Sequence, residues 1–213
     1  MGAGKTTVGK QLADSLGLKF YDLDWYIETR MHRKVSQIFE EKGEEGFRII
    51  ERNMLHEVAE FEDVVISCGG GTPCFFDNID YMNCQGDVIY LKARPDVLYK
   101  HLMMGKTERP LIKGKTKDEL MEFIKQQLEK REPFYTKARH TLDVSLMDNY
   151  EKIKISVKKA KELLGEERKN GLLKTRGSST TSMVGAPPTL ASTTAAMFMS
   201  HHVRTTRKLT CVM

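Results

Sequence analysis

Apolar positions through the first 164 of 213 residues switch between a helical repeat and short unbroken runs, and that switching sets the expected elements. A helix is predicted from Lys5 to Leu16, with Gly17 just past its end as a C-cap. A short strand around Lys19–Leu23 follows, then helical segments over Trp25–Met31 and Ser36–Lys42. A longer helix runs from about Glu44 to Ala59, where Phe47, Ile50, Met54 and Val58 form one apolar stripe. Val64–Cys68 is an apolar run ending in three glycines, as expected of a buried parallel strand. Asp87–Leu91 repeats that pattern, and Arg94–Met103 reads as a helix. A basic segment rich in Gly, Lys and Pro fills 105–117, a long helix covers roughly Lys117–Glu132, and Leu142–Val144 is a last strand. Tyr150, Ile153, Val157, Ala160 and Leu164 mark a closing amphipathic helix. Strands alternating with helices predict an α/β layered fold with a parallel sheet.

From about Gly165 the composition changes. Gly177-Ser-Ser-Thr-Thr-Ser and Ser192-Thr-Thr-Ala-Ala carry neither period, and such a stretch buries too little apolar surface to offset its ordering entropy. The reading is therefore a folded domain over 1–164 and a low-complexity, disordered tail over 165–213, whose removal is expected to leave stability and turnover unchanged. The formal charge of +5 belongs to that tail, because seven Lys and Arg follow Glu167 and no acidic residue does. The remainder holds 27 basic against 29 acidic residues, which removes the argument for a nucleic-acid partner. No apolar run is long enough to span a membrane, and four irregularly spaced cysteines form neither a disulfide framework nor a zinc site. A reduced, cytoplasmic monomer is expected.

Gly2-Ala3-Gly4-Lys5-Thr6-Thr7 is the back half of a phosphate-binding loop, G-x-x-x-x-G-K-[ST]. Gly2 and Gly4 let backbone N–H groups converge on phosphate oxygens, and Lys5 supplies a mobile positive charge. Thr6 offers a hydroxyl to Mg²⁺, and the following helix points its positive end at the same anion. The first glycine of the motif and the strand before it would precede Met1. That strand lies mid-sheet in such folds, so the sheet is expected to lack its central strand.

Asp22-Leu-Asp24 stands at the carboxyl end of a strand, where residues i and i+2 share a face. Arg48 and Glu51 are three apart on one helix face, Gly69-Gly70-Gly71 permits close backbone approach to a ligand, and Arg109 and Arg131 stand in Arg-Pro-Leu and Arg-Glu-Pro-Phe-Tyr. Alone, each has an ordinary reading as an acidic turn, a surface ion pair, a flexible turn or a solvated arginine. Together and in this order, GAGKTTVGK, FYDLDWYIE, IFEEKGEEGFRIIE, VISCGGGTP, RPLI and REPFY resemble the shikimate kinases over about Met1 to Leu164.

That resemblance implies a P-loop fold of the nucleoside-monophosphate-kinase type, with transfer of the ATP γ-phosphate to the 3-hydroxyl of shikimate in aromatic amino acid biosynthesis. It implies Lys5 and the loop residues Gly2, Ala3, Gly4, Thr6 and Thr7 at the nucleotide, and Thr6 and Asp22 at Mg²⁺. Asp24 would bind ring hydroxyls and accept a proton. Arg48 and Arg131 would clamp the substrate carboxylate, Gly69, Gly70 and Gly71 would line the acceptor, and Arg109, in a lid over 105–117, would reach the ATP phosphates. Paired arginines with an aspartate suit a small anion bearing three hydroxyls. Two alternatives stay open: another small-molecule P-loop kinase, and a truncated relative that binds without turnover. No adenine-contacting residue is assigned near Val144–Asn149.

Overall fold

Val64–Ser67 and Leu209–Val212 are buried at every position, the mark of strands covered on both faces. The computed structural model describes residues 2–104, 116–147, 149–176 and 209–213. Within them the strands are β1 (Lys19–Asp22), β2 (Val64–Ser67), β3 (Asp87–Lys92), β4 (His140–Asp143) and β5 (Leu209–Val212). The helices are α1 (Lys5–Leu16), α2 (Leu23–Met31), α3 (Val35–Ala59), α4 (Asn78–Gln85), α5 (Pro95–Met104), α6 (Lys117–Tyr135) and α7 (Tyr150–Arg176). All strand pairs are parallel, in the order β1-β2-β5-β3-β4.

Alternation along each strand divides the core into two layers. Val65, Ile89, Leu91 and Val212 pack on one face against Val8 and Leu12 of α1, Leu98 of α5, Ile124 of α6 and Ala160 of α7. Val64, Ile66, Val88, Leu209 and Cys211 pack on the other against Ile27 of α2, Phe47 and Leu55 of α3, and Met82 of α4. The ligand-bearing edge of such a sheet is at the carboxyl ends of its strands, and β1, β2 and β5 all finish there beside the start of α1.

Most predicted elements form within a residue or two. Leu16 ends α1 with Gly17 as a left-handed cap, and α3 is broken at Gly43, where separate helical segments were expected. Four expectations change. No strand precedes α1 among the described residues, as expected, but its place between β2 and β3 is filled by β5, from the far end of the chain. The boundary at 164/165 does not fall between elements either, because α7 continues to Arg176 and Leu209–Met213 belong to the core. Five apolar or small residues following a long Ser/Thr-rich stretch suffice for a strand once a slot with open hydrogen bonds on both sides exists. Residues 177–208 lie outside the described ones.

The third change is in α6, which passes through Glu132-Pro133 to Tyr135. A proline in a helix loses one backbone donor and crowds the preceding turn. Side chains anchor the helix on both sides of it: Glu132 accepts hydrogen bonds from Tyr90 and Lys92 of β3, and the Tyr135 hydroxyl donates to the Gly70 carbonyl at 2.6 Å. The fourth change is α4, which carries only Ile79 and Met82 as buried apolar residues and so showed no helical stripe.

Candidate active site

The loop at the start of α1 is shaped by its glycines. Gly4 caps the helix at φ 78° and Gly2 sits at φ 71°, a left-handed region that side chains with a Cβ rarely adopt. The first turn of α1 thus opens with N–H groups directed away from the helix, the arrangement that binds anions. His101 of α5 fixes the loop from behind, with Nδ1 2.8 Å from the Gly2 carbonyl; that contact requires the tautomer protonated at Nδ1. Ala3 is buried in the core beside it.

Asp22 ends β1 and caps α2. Its Oδ1 accepts from the backbone N–H groups of Asp24 and Trp25 at 3.2 and 3.4 Å, while its Oδ2 accepts from the Thr6 hydroxyl at 2.8 Å. Asp24 therefore stands in the first turn of α2 and not on the strand, which corrects the expectation that the two carboxylates share a strand face. They reach one cleft because the chain turns from β1 into α2 between them. Burial, then the neighbouring carboxylates of Asp22 and Glu51, push the Asp24 carboxyl up to about 6, against the pull of Lys5.

Glu51, Arg48 and the glycine run form a second, drier cluster. Glu51 is only 1% exposed; its Oε2 accepts from Arg48 Nη1 at 2.8 Å and its Oε1 from the Thr72 hydroxyl at 2.7 Å. The Arg48–Glu51 pair is thus an interior one. The Arg48 guanidinium lies 4.1 Å over the Phe75 ring, and its buried Nε–H has no partner among the described residues. A Cβ on Gly71 would stand 2.7 Å from Arg48 Nη2, and one on Gly69 would meet Thr72, Glu51 and Asp24 at 3.1–3.4 Å. Absence of side chains at 69 and 71 is what lets the arginine and both carboxylates close on this turn.

Two clefts meet at the loop. The first, about 350 Å³, is lined by Asp22, Asp24, Ser67–Gly70 and Arg131 together with Gly2, Lys5 and Thr6. The second, about 430 Å³, shares Gly2, Lys5 and Thr6, adds Gly4, Thr7 and His101, and has the more apolar walls of Met104, Met147 and Ile153. The polar cleft suits a small hydroxylated anion, and the apolar one suits a nucleoside, with the cation of Lys5 between them. Of the residues singled out in the sequence, Gly2, Lys5, Thr6, Asp22, Asp24, Gly69, Gly70 and Arg131 come together in the polar cleft. Arg48 flanks it behind Gly71, and Arg109 lies outside the described residues.

Sequence reasoning missed His101, Met147 and Tyr135 as parts of this region. Tyr135 was within reach, since it follows Arg131 by four residues on one helix face. His101 was not, because its contact with Gly2 joins residues 99 apart. Among the described residues no helix is long and apolar enough to cross a membrane, and no group of three or more His, Cys, Asp or Glu forms a metal cluster.

The family model described as shikimate kinase matches residues 1–163. A shikimate kinase of Parabacteroides distasonis is 62% identical over 147 residues, covering 69% of this chain and 85% of that protein. One from Bacteroides thetaiotaomicron is 54% identical over 164 residues, covering 77% and 94%. The crystal structure of shikimate kinase from that organism superposes with a TM-score of 0.76 at 54% identity, over 78% of this chain and 94% of that one. A shikimate kinase from Acinetobacter baumannii in complex with shikimate superposes at 0.67 with 30% identity, over 78% and 89%. With the family model matched over residues 1–163 and these relatives covered over 85% and 94% of their lengths, the chain belongs to the shikimate kinase family.

Proposed function

We propose that the chain transfers the γ-phosphoryl group of ATP to the 3-hydroxyl of shikimate, with the two clefts that share Lys5 and Thr6 as donor and acceptor sites. That shared wall carries the reading: a nucleotide in the apolar cleft and a hydroxylated acid in the polar one would meet only at the loop. Phosphoryl transfer needs positioning and charge neutralisation more than covalent help, and the residues present supply both. The loop N–H groups and Lys5 hold the phosphates. The Thr6 hydroxyl and Asp22 carboxylate are the hard oxygen donors that suit Mg²⁺, an ion held by few protein oxygens. When bound there, Mg²⁺ would neutralise charge on the β- and γ-phosphates.

Arg131 at the cleft wall and Arg48 behind Gly71 clamp the carboxylate of shikimate, with Glu51 and Thr72 fixing Arg48 in place. Asp24 orients the 3-hydroxyl and takes its proton as the oxygen attacks phosphorus. A carboxyl at about 6 is ionised at neutral pH yet more basic than a free aspartate, as a general base requires. Arg109 is assigned to the ATP phosphates through its Arg-Pro-Leu motif alone. All four cysteines are free, as suits a reducing cytoplasm, and a monomer is the assembly proposed.

The binding-without-turnover alternative rested on the absent central strand, a place that β5 occupies. An ADP-coupled assay with Mg²⁺-ATP and a panel of acceptors tests the proposal. ADP release is expected with shikimate and not with gluconate or nucleoside monophosphates. Release with a nucleoside monophosphate and none with shikimate would overturn it.

A further inference from the structure

We propose that Leu209–Met213 is the strand that positions the phosphate loop, inserted within one chain from its far end, so that the strand order is permuted along the sequence. In a P-loop unit a central strand runs directly into the glycine loop. Here the strand in that place is β5, and it runs parallel to its neighbours with its carboxyl end at the loop. Met213 and Ala3 line the same small apolar cavity, together with Lys5, Arg131 and Tyr135.

Three independent observations carry this. The first is burial on both faces: Leu209, Thr210, Cys211, Val212 and Met213 are each 3% exposed or less, with Val212 in one core layer and Leu209, Cys211 and Met213 in the other. The second is hydrogen bonding beyond the ladder, at the site itself. Cys68 donates its N–H to the Val212 carbonyl at 2.9 Å, at the root of the Gly69–Gly71 turn, and Leu91 donates to the Met213 carbonyl at 2.9 Å.

The third is Gly86. Its backbone is extended, so no left-handed conformation calls for glycine there, yet a Cβ would collide with the Leu209 carbonyl oxygen. At this C-cap of α4 the close passage of β5 leaves no room for a side chain. Insertion within one chain is within reach, since the 32 residues from 177 to 208 can span about 100 Å when extended.

Thiol accessibility tests the placement without any substrate, so its failure is separable from failure of the kinase reading. Cys84 is exposed, whereas Cys68 and Cys211 are buried. In the native full chain a maleimide should label Cys84 at least 100-fold faster than Cys211, in a species that native mass spectrometry shows to be monomeric. Labelling of Cys211 at the rate of Cys84 would overturn the insertion, and protection found only in a dimer would assign the slot to a second copy. Gly86→Ala supplies the functional arm. It should accelerate Cys211 labelling at least tenfold and raise the nucleotide dissociation constant in step, while the far-UV spectrum stays that of a folded α/β protein. Unchanged labelling and nucleotide affinity in Gly86→Ala would contradict the role given to β5.

Discussion

The acceptor cluster and the phosphate loop are built in opposite ways. Glu51 takes both of its hydrogen bonds from Arg48 and Thr72, close to it in sequence, and the glycine turn packs directly against them, with Asn78 and Tyr135 as further anchors. The loop at Gly2–Thr6 has little local support. It is held by His101 from α5, by Asp22 from β1 and by packing onto a sheet whose central strand enters from residue 209 onward. A cluster whose hydrogen bonds are mostly local is the less sensitive of the two to loss of distant parts. A loop resting on remote elements loses its shape with any one of them.

The sharpest break of that contrast is a chain ending at Lys208. It would expose the facing edges of β2 and β3 and remove four buried apolar side chains, each worth roughly 1.5–3 kcal/mol. A domain's whole margin is about 5–15 kcal/mol, so cooperative unfolding should be lost or its denaturant midpoint should collapse. A midpoint within error of the full chain would show that β5 contributes nothing.

Substitution of either arginine proposed for the acceptor should act selectively. Arg131→Ala is expected to raise the KM for shikimate by a factor corresponding to about 2–4 kcal/mol, with the KM for ATP nearly unchanged. Arg48→Ala should do the same and also lower the melting temperature, because Glu51 would be left buried without its cation. Equal losses for ATP and shikimate in both variants would erase the division between the two regions.

The smallest expected effect is one of pH. Since Asp24 titrates near 6 when folded and near 3.8 when free, the folded state holds its proton more tightly, and stability falls as pH rises from about 4 to 6. In the absence of ligands Asp24→Asn should therefore be more stable than the parent at pH 8, by on the order of 1–3 kcal/mol, and equal to it near pH 4. Melting curves at the two pH values check this; a variant less stable at pH 8 would mean the ionised carboxylate is well accommodated.

How far the molecule could be read from its sequence follows the same contrast. Asp22, Asp24, Arg48, Glu51, Gly69–Gly71 and Arg131 were legible because each lies in a short motif whose spacing survives folding, even though Asp24 arrives by a helix turn and not by a strand face. α1 and its cap were legible from local pattern alone. β5 was not, because Leu-Thr-Cys-Val carries no periodicity that four residues can display, and its identity as a strand is conferred by partners at Val64–Ser67 and Asp87–Ile89, more than 100 residues away. Gly86 was the one distant sign of it, and its meaning appears only once Leu209 lies against it.

The central claim is that the two regions meet over Asp24 as the base of the transfer. Turnover of Asp24→Asn with shikimate and Mg²⁺-ATP, measured beside the dissociation constant for each ligand, tests it most directly. The account predicts a fall in kcat of at least about 100-fold, typical for loss of a general base, with ATP affinity within about threefold of the parent. A kcat near that of the parent would contradict it.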